Sequence, residues 1–221
     1  MTEWLIFIIV YSVPVKEIYN NVKQPFYLAE SKVKKIAVLC AQRKSIYNHF
    51  AGRMANSHVI DIEIYDVKRN AFTFPGGMAV IAHPPCRLWG NLSHTVRGQP
   101  IARDKEKELG RFCVRAVISN GGILEQPFES RLFEDMGLPP GGMANNFGYT
   151  IELPQRMFGH EMIKNTWLFF SKIDYEDIEP IMPAIHGKPL KQIYNLSHKQ
   201  RNRTPALMAE WLIKNVSKVK E

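Results

Sequence analysis

Cysteine is scarce in this chain, with three in 221 residues (Cys40, Cys86, Cys113) and no Cys-x-x-Cys pair. That spacing excludes a disulfide framework and a closed thiolate zinc site, and it suits a reducing, cytoplasmic setting. Long apolar runs are also lacking. The most apolar stretch, residues 4–15 (WLIFIIVYSVPV), falls well short of the roughly 20 residues a membrane helix needs. No basic residue precedes it and no small-residue cleavage site comes after it, so it fits a signal peptide poorly. Its β-branched and aromatic content predicts a buried strand, and no membrane partner is expected. A phosphate-cradling glycine loop is missing too, because Gly76-Gly77 and Gly141-Gly142 lack the strand-to-helix context it requires. His83, His94 and His160 show no His-x-His or His-x-x-x-His spacing, so no metal is expected. No repeat, low-complexity tract or linker divides the chain. The expected organisation is one domain over residues 36–221, preceded by an extension over residues 1–35.

What is present is ordinary globular composition, 45% hydrophobic and 23% charged. A chain of this size buries roughly 70–75% of its unfolded surface and needs no staples. Base is in excess, 29 Lys and Arg against 21 Asp and Glu, a net charge of +8. From His186 onward eight basic residues face two acidic ones, so six of those charges sit in that segment. Two readings compete there. One is a solvated terminal helix and loop; the other is a phosphate-facing edge carried by Lys188, Lys191, Lys199, Arg201 and Arg203, with a nucleic acid as partner.

Short apolar runs at residues 35–40, 59–66, 78–82, 123–125 and 166–173 predict strands, and residues 41–51 predict a loop entering a helix. Residues 103–119 carry Leu109, Phe112, Cys113, Ala116 and Val117 on one stripe, a helix ended by Gly121-Gly122. Residues 205–216 predict a terminal amphipathic helix with Pro205 at its start. Strands alternating with helices indicate an α/β fold, a Rossmann-like three-layer sandwich with a mostly parallel sheet.

In such sheets sites collect at the carboxyl ends of strands, which here are Cys40, Asp66, the His83–Cys86 turn and Glu125. Cys86 is a candidate nucleophile if Arg87 or a helix N-terminus lowers its thiol pKa; the alternative is a buried structural cysteine, the role expected for Cys113. His83, three residues away, is a candidate base for the thiol. Glu125, between Gly-Gly-Ile-Leu and Gln-Pro, is a costly residue at a strand end unless it is partnered or functional. It could meet a heterocycle's ring nitrogen and amino group. Asp66 either holds ribose hydroxyls or caps the segment after its strand. Trp89 either stacks on a base or packs in the core.

These residues resemble the DNA cytosine-C5 methyltransferases. His83-Pro84-Pro85-Cys86 matches the family's Pro-Cys nucleophile loop, and Leu124-Glu125-Gln126-Pro127 stands where its glutamate motif falls, 39 residues beyond Cys86. Leu153-Pro154-Gln155-Arg156 looks like its Val-Pro-Gln stretch, and Arg203-Thr204-Pro205-Ala206 like its closing turn. The resemblance implies a methyltransferase-like fold and S-adenosylmethionine as methyl donor, with Cys40, Ala41, Asp66 and Pro84 lining the cofactor site. It implies a Cys86 adduct at C6 of a pyrimidine, Glu125 on the N3/N4 edge and Arg156 positioning the base or its phosphate. The substrate would be DNA or a pyrimidine nucleotide. The chain departs from the family at Gln126, where the family has an asparagine after its glutamate, at Met157, where an arginine is expected, and in two larger features. Cys40-Ala41-Gln42-Arg43-Lys44-Ser45 replaces the Phe-x-Gly-x-Gly turn, and about 33 residues separate Phe170 from Arg203 where the family inserts a recognition domain. A reduced, phage-encoded variant fits that brevity, alone, as a homodimer or with a separate recognition partner. Two alternatives stay open: a non-catalytic binding module of the same fold, and a base-directed glycosylase or deoxyribosyltransferase using Glu125 or Asp66.

Overall fold

A computed structural model describes residues 33–55, 58–90, 93–181 and 197–220. The predicted strand at residues 4–15, Lys188 and Lys191 lie outside the described residues.

The strands in chain order are β1 (Val33–Leu39), β2 (Met54–Ala55), β3 (His58–Tyr65), β4 (Ala79–Ala82), β5 (Gly122–Pro127), β6 (Ala144–Asn145), β7 (Gly148–Pro154) and β8 (Asn165–Ser171). Among the described residues they form one sheet in the order β2-β3-β1-β4-β5-β8-β7-β6. The centre is parallel: β3 with β1, β1 with β4, and β4 with β5. The flanks are antiparallel, β8 on β5, β7 on β8, and the two-residue strands β2 and β6 at the edges. The chain therefore has the expected α/β architecture.

Strand alternation builds the three layers. Side chains along a strand point to opposite faces in turn. Ile36, Val38, Ile81 and Ile123 pack on one face with Met208, Trp211 and Leu212 of the terminal helix α4 (Ala206–Val216). Ala37, Leu39, Val80, Ala82 and Leu124 pack on the other with Cys113, Val114 and Val117 of α1 (Pro100–Asn120). Because both faces are covered, β1 and β4 are apolar without interruption at their centres. Two shorter helices, α2 (Arg131–Asp135) and α3 (His198–Arg201), complete the α-helices among the described residues.

α1 begins with Pro100 in its first turn and stops at Gly121, whose φ of 77° ends the right-handed run. On its buried stripe Gly110 leaves room for the Trp89 indole: a Cβ there would stand 2.7 Å from Trp89 Nε1. Trp89 is thus a core residue on the α1 face.

The segment after β1 departs from expectation. Ser45 accepts from Tyr47 N and caps a single 3-10 turn (Ile46–His49), and Gly52, at φ 77°, returns the chain into β2. No α-helix forms between β1 and β2. β7 is a strand the apolar runs do not predict, although it brings residue 155 to the site. Among the described residues no helix is long and apolar enough to cross a membrane.

Candidate functional site

β1, β4 and β5 are parallel, so their carboxyl ends meet at one edge of the sheet. β8 is antiparallel to β5 and starts at that edge; β7 is antiparallel to β8 and ends there. A cavity of about 610 Å³ opens at this edge. Its walls are residues 40–47 and 49, residues 83–86 from the β4 end, residues 125–127 from β5, Lys164 before β8, and residues 202–204 ahead of α4. Cys86 and Glu125 both line it.

Glu125 sits at the centre of a closed set of contacts. His83 Nδ1 lies 3.0 Å from Glu125 Oε2, Gln155 Nε2 donates to Glu125 Oε1 at 2.9 Å, and Lys164 Nζ stands 3.9 Å from Oε1. Burial raises the carboxyl pKa, but Lys164, His83 and Gln155 together outweigh it and hold the group down at about 2. Glu125 is therefore an ionised acceptor, so the shared proton sits on His83 Nδ1. The other ring nitrogen, Nε2, lies 2.8 Å from the Tyr47 hydroxyl. With neutral imidazole Tyr47 O–H donates to Nε2. Burial, reinforced by the Glu125 charge, pushes the Tyr47 phenol well above its ordinary value, keeping it a donor.

The Pro84-Pro85-Cys86 turn is held from below. Gln126, fully buried, donates Nε2 to Pro84 O at 2.7 Å and accepts from Ser130 Oγ at 3.0 Å. The amides of Trp89 and Gly90 both bond Cys86 O. The Cys86 thiol is pushed up, first by burial and then by the Glu125 charge, with Lys164 partly opposing. The expected activator behaves differently: Arg87 turns outward and forks onto Glu106 at 2.7 and 2.8 Å. His83 is committed to Glu125 and Tyr47, which leaves it engaged elsewhere than on the thiol.

The other anticipated residues divide. Cys40, Ala41 and Pro84 line the cavity, and so does Arg203. Asp66 does not; its Oδ1 accepts from Lys68 N and Arg69 N in a local turn. Arg156 lies in the 3-10 turn Gln155–Phe158 and is not among the lining residues, whereas its neighbour Gln155 reaches Glu125. Lys199 and Arg201 belong to α3, and Arg201 is not among the lining residues. Cys113 is fully buried, its Sγ 3.6 Å from Cys40 Sγ. Sequence reasoning missed Tyr47, Lys164, the contact of Gln155 and the bracing role of Gln126. Among the described residues no three His, Cys, Asp or Glu side chains are grouped to hold a metal ion.

The residues present do not fit S-adenosylmethionine. Asp66, the carboxylate that would meet its ribose, is not among the residues that line the cavity and accepts through Oδ1 in its own turn. The turn after β1 offers Arg43 and Lys44 in place of glycines, and among the described residues Glu125 is the one lining carboxylate. The cofactor carries a sulfonium and an ammonium against a single carboxylate, and that net positive charge is disfavoured in a lining where Arg43, Lys44, Lys164 and Arg203 outnumber Glu125.

No protein-family model matches the sequence, and no curated protein matches it significantly. Among solved structures it is similar to a candidate DNA modification methyltransferase encoded within a prophage of E. coli. The two share 14% identity at a TM-score of 0.36, over 69% of this chain and 52% of that one. This chain spans about half the length of that protein.

Proposed function

We propose that this protein is a pyrimidine-directed enzyme that activates C5 of cytosine through a covalent Cys86 adduct, on DNA or on a nucleotide. The observation that carries the reading is the opening of Cys86 and an ionised, three-fold partnered Glu125 onto one cavity at the sheet's carboxyl edge. Glu125 accepts from the exocyclic amino group and so fixes the base edge. The Cys86 thiol gives its proton to solvent, the thiolate adds to C6, and the C5=C6 electron pair moves to C5, which becomes a nucleophilic carbon conjugated with C4 and N3. C5 then takes an electrophile, a solvent proton being the simplest. Loss of the original C5 hydrogen as a proton and elimination of the thiolate restore the ring. His83 and Tyr47 hold the Glu125 carboxylate and its proton balance during this cycle.

Exchange of the C5 hydrogen in D2O, monitored by proton NMR on deoxycytidine, 5′-dCMP and a single-stranded oligonucleotide, tests the reading without any added donor. Wild type is expected to erase the H5 signal of at least one of the three. Cys86→Ser should slow that loss by at least about a hundredfold. Equal exchange by Cys86→Ser rejects Cys86 as nucleophile.

A second reading rests on the raised Cys86 thiol. A thiol held in its neutral form suits a nucleotide-binding module that performs no chemistry. Binding without H5 exchange, at neutral pH and at pH 9, would select that reading.

A further inference from the structure

The cavity mouth carries charge that the covalent reading leaves unused. Arg43 and Lys44, exposed on the turn after β1, and Arg203, exposed ahead of α4, all line the cavity. The two segments are tied together, since Gln42 Nε2 donates to Asn202 O. Among the described residues none of these three cations has a carboxylate partner. Elsewhere among the described residues Arg69, Arg87, Arg111, Arg115, Lys214, Lys218 and Lys220 pair with acids, while other exposed cations such as Lys35, Lys68 and Arg97 do not; what sets the three rim cations apart is that they line one cavity. Deeper in, Lys164 faces Glu125. A concave site lined by cations concentrates anions at its mouth. The same turn is unsuited to a cationic cofactor, as its Arg43 and Lys44 show.

From this juxtaposition we propose that the Arg43–Lys44–Arg203 rim is a phosphate subsite, so that the cavity takes a phosphorylated pyrimidine rather than a bare nucleoside. The phosphate ester is held by the cations of these two adjoining segments, with guanidinium forks matched to its oxygens, and the base enters toward Cys86 and Glu125. The placement of the base rests on the covalent reading above; the rim itself does not. The ester is either the 5′-phosphate of a free nucleotide or a backbone phosphate of a strand.

Calorimetric titration with deoxycytidine, 5′-dCMP and a ten-nucleotide single strand containing one cytosine separates these sources. Wild type is expected to bind at least one phosphorylated ligand about tenfold or more tightly than deoxycytidine at low salt, where each charge-assisted contact is strongest. If dCMP gains, the monoester is the ligand; if only the strand gains, the diester is. Arg43→Ala with Lys44→Ala, and separately Arg203→Ala, should remove that preference while leaving deoxycytidine affinity unchanged. These side chains are exposed, so folding is preserved; Arg115→Ala, a remote exposed cation, should leave the preference intact. Equal affinity for nucleoside and phosphorylated ligands, no binding of any of them, or a preference that survives both rim variants overturns the proposal. H5 exchange keeps the two claims apart. A rim-dependent preference without exchange retains the subsite and removes the covalent reading. Exchange without a preference does the reverse.

Discussion

His83 Nδ1 donates to Glu125 Oε2 across 3.0 Å, joining residues 42 apart in the chain. The bond turns two strand-end residues into one unit, because an ionised carboxylate assigns the imidazole its tautomer and the imidazole in turn engages Tyr47. The depth of Glu125 makes the unit consequential: its side chain is 13% exposed, so the carboxylate depends on its partners for its charge.

That dependence predicts a pH signature. The folded-state pKa of Glu125 is depressed to about 2 from an ordinary 4.5, so its stabilisation is fully present above pH 4.5 and is lost as pH falls toward 2. The linked free energy is on the order of 3 kcal/mol. Glu125→Gln should lower Tm at neutral pH, since His83 N–H and Lys164 lose their acceptor. It should also flatten the stability curve between pH 4.5 and 2, measured by chemical denaturation at stepped pH. A variant whose acid limb matches wild type would contradict the depressed pKa.

Cys86 should alkylate slowly at neutral pH, because burial and the Glu125 charge hold the thiol above its ordinary value. Lys164→Gln removes the opposing cation and should move the pH midpoint of iodoacetamide labelling further up; Glu125→Gln should move it down. Arg87→Ala should change neither that midpoint nor, by more than about 1 kcal/mol, the stability, since Arg87 forms an exposed pair with Glu106. Peptide mapping separates Cys86 from Cys40 and Cys113.

Gln126 supports the cysteine turn through Pro84 O. Gln126→Leu leaves that buried carbonyl and Ser130 Oγ without their partner, a cost of about 1–3 kcal/mol. H5 exchange should fall by more than the loss of folded protein explains. A variant with normal exchange per folded molecule would show that the turn holds its geometry unaided.

Much of the fold is legible in the sequence because its signals are local. The apolar runs of β1, β4 and β5 and the stripe Leu109–Cys113–Ala116 report burial directly, and Gly121 marks the end of α1. Cys86 and Glu125 are legible as strand-end residues of an α/β sheet, since chain order alone places them at one edge. The helix expected after residue 41 does not form because a four-residue 3-10 turn and an antiparallel return satisfy the same segment. β7 escapes notice because its sequence, GYTIELP, alternates only weakly.

What the sequence by itself determined is the layered architecture, the two candidate catalytic positions and an excess of basic charge. Only the tertiary structure decided how those positions are electrically poised. Antiparallel insertion of β8 delivers Lys164 to Glu125, the reversed β7 delivers Gln155, and the turn after β1 lays Tyr47 against His83. It also sends Arg87 away to Glu106 and brings Arg43, Lys44 and Arg203 onto one cavity. The physical reason is range. Burial is governed by a residue's own neighbours in sequence, whereas a pKa or an anion site depends on charges a few ångströms away that arrive from distant parts of the chain.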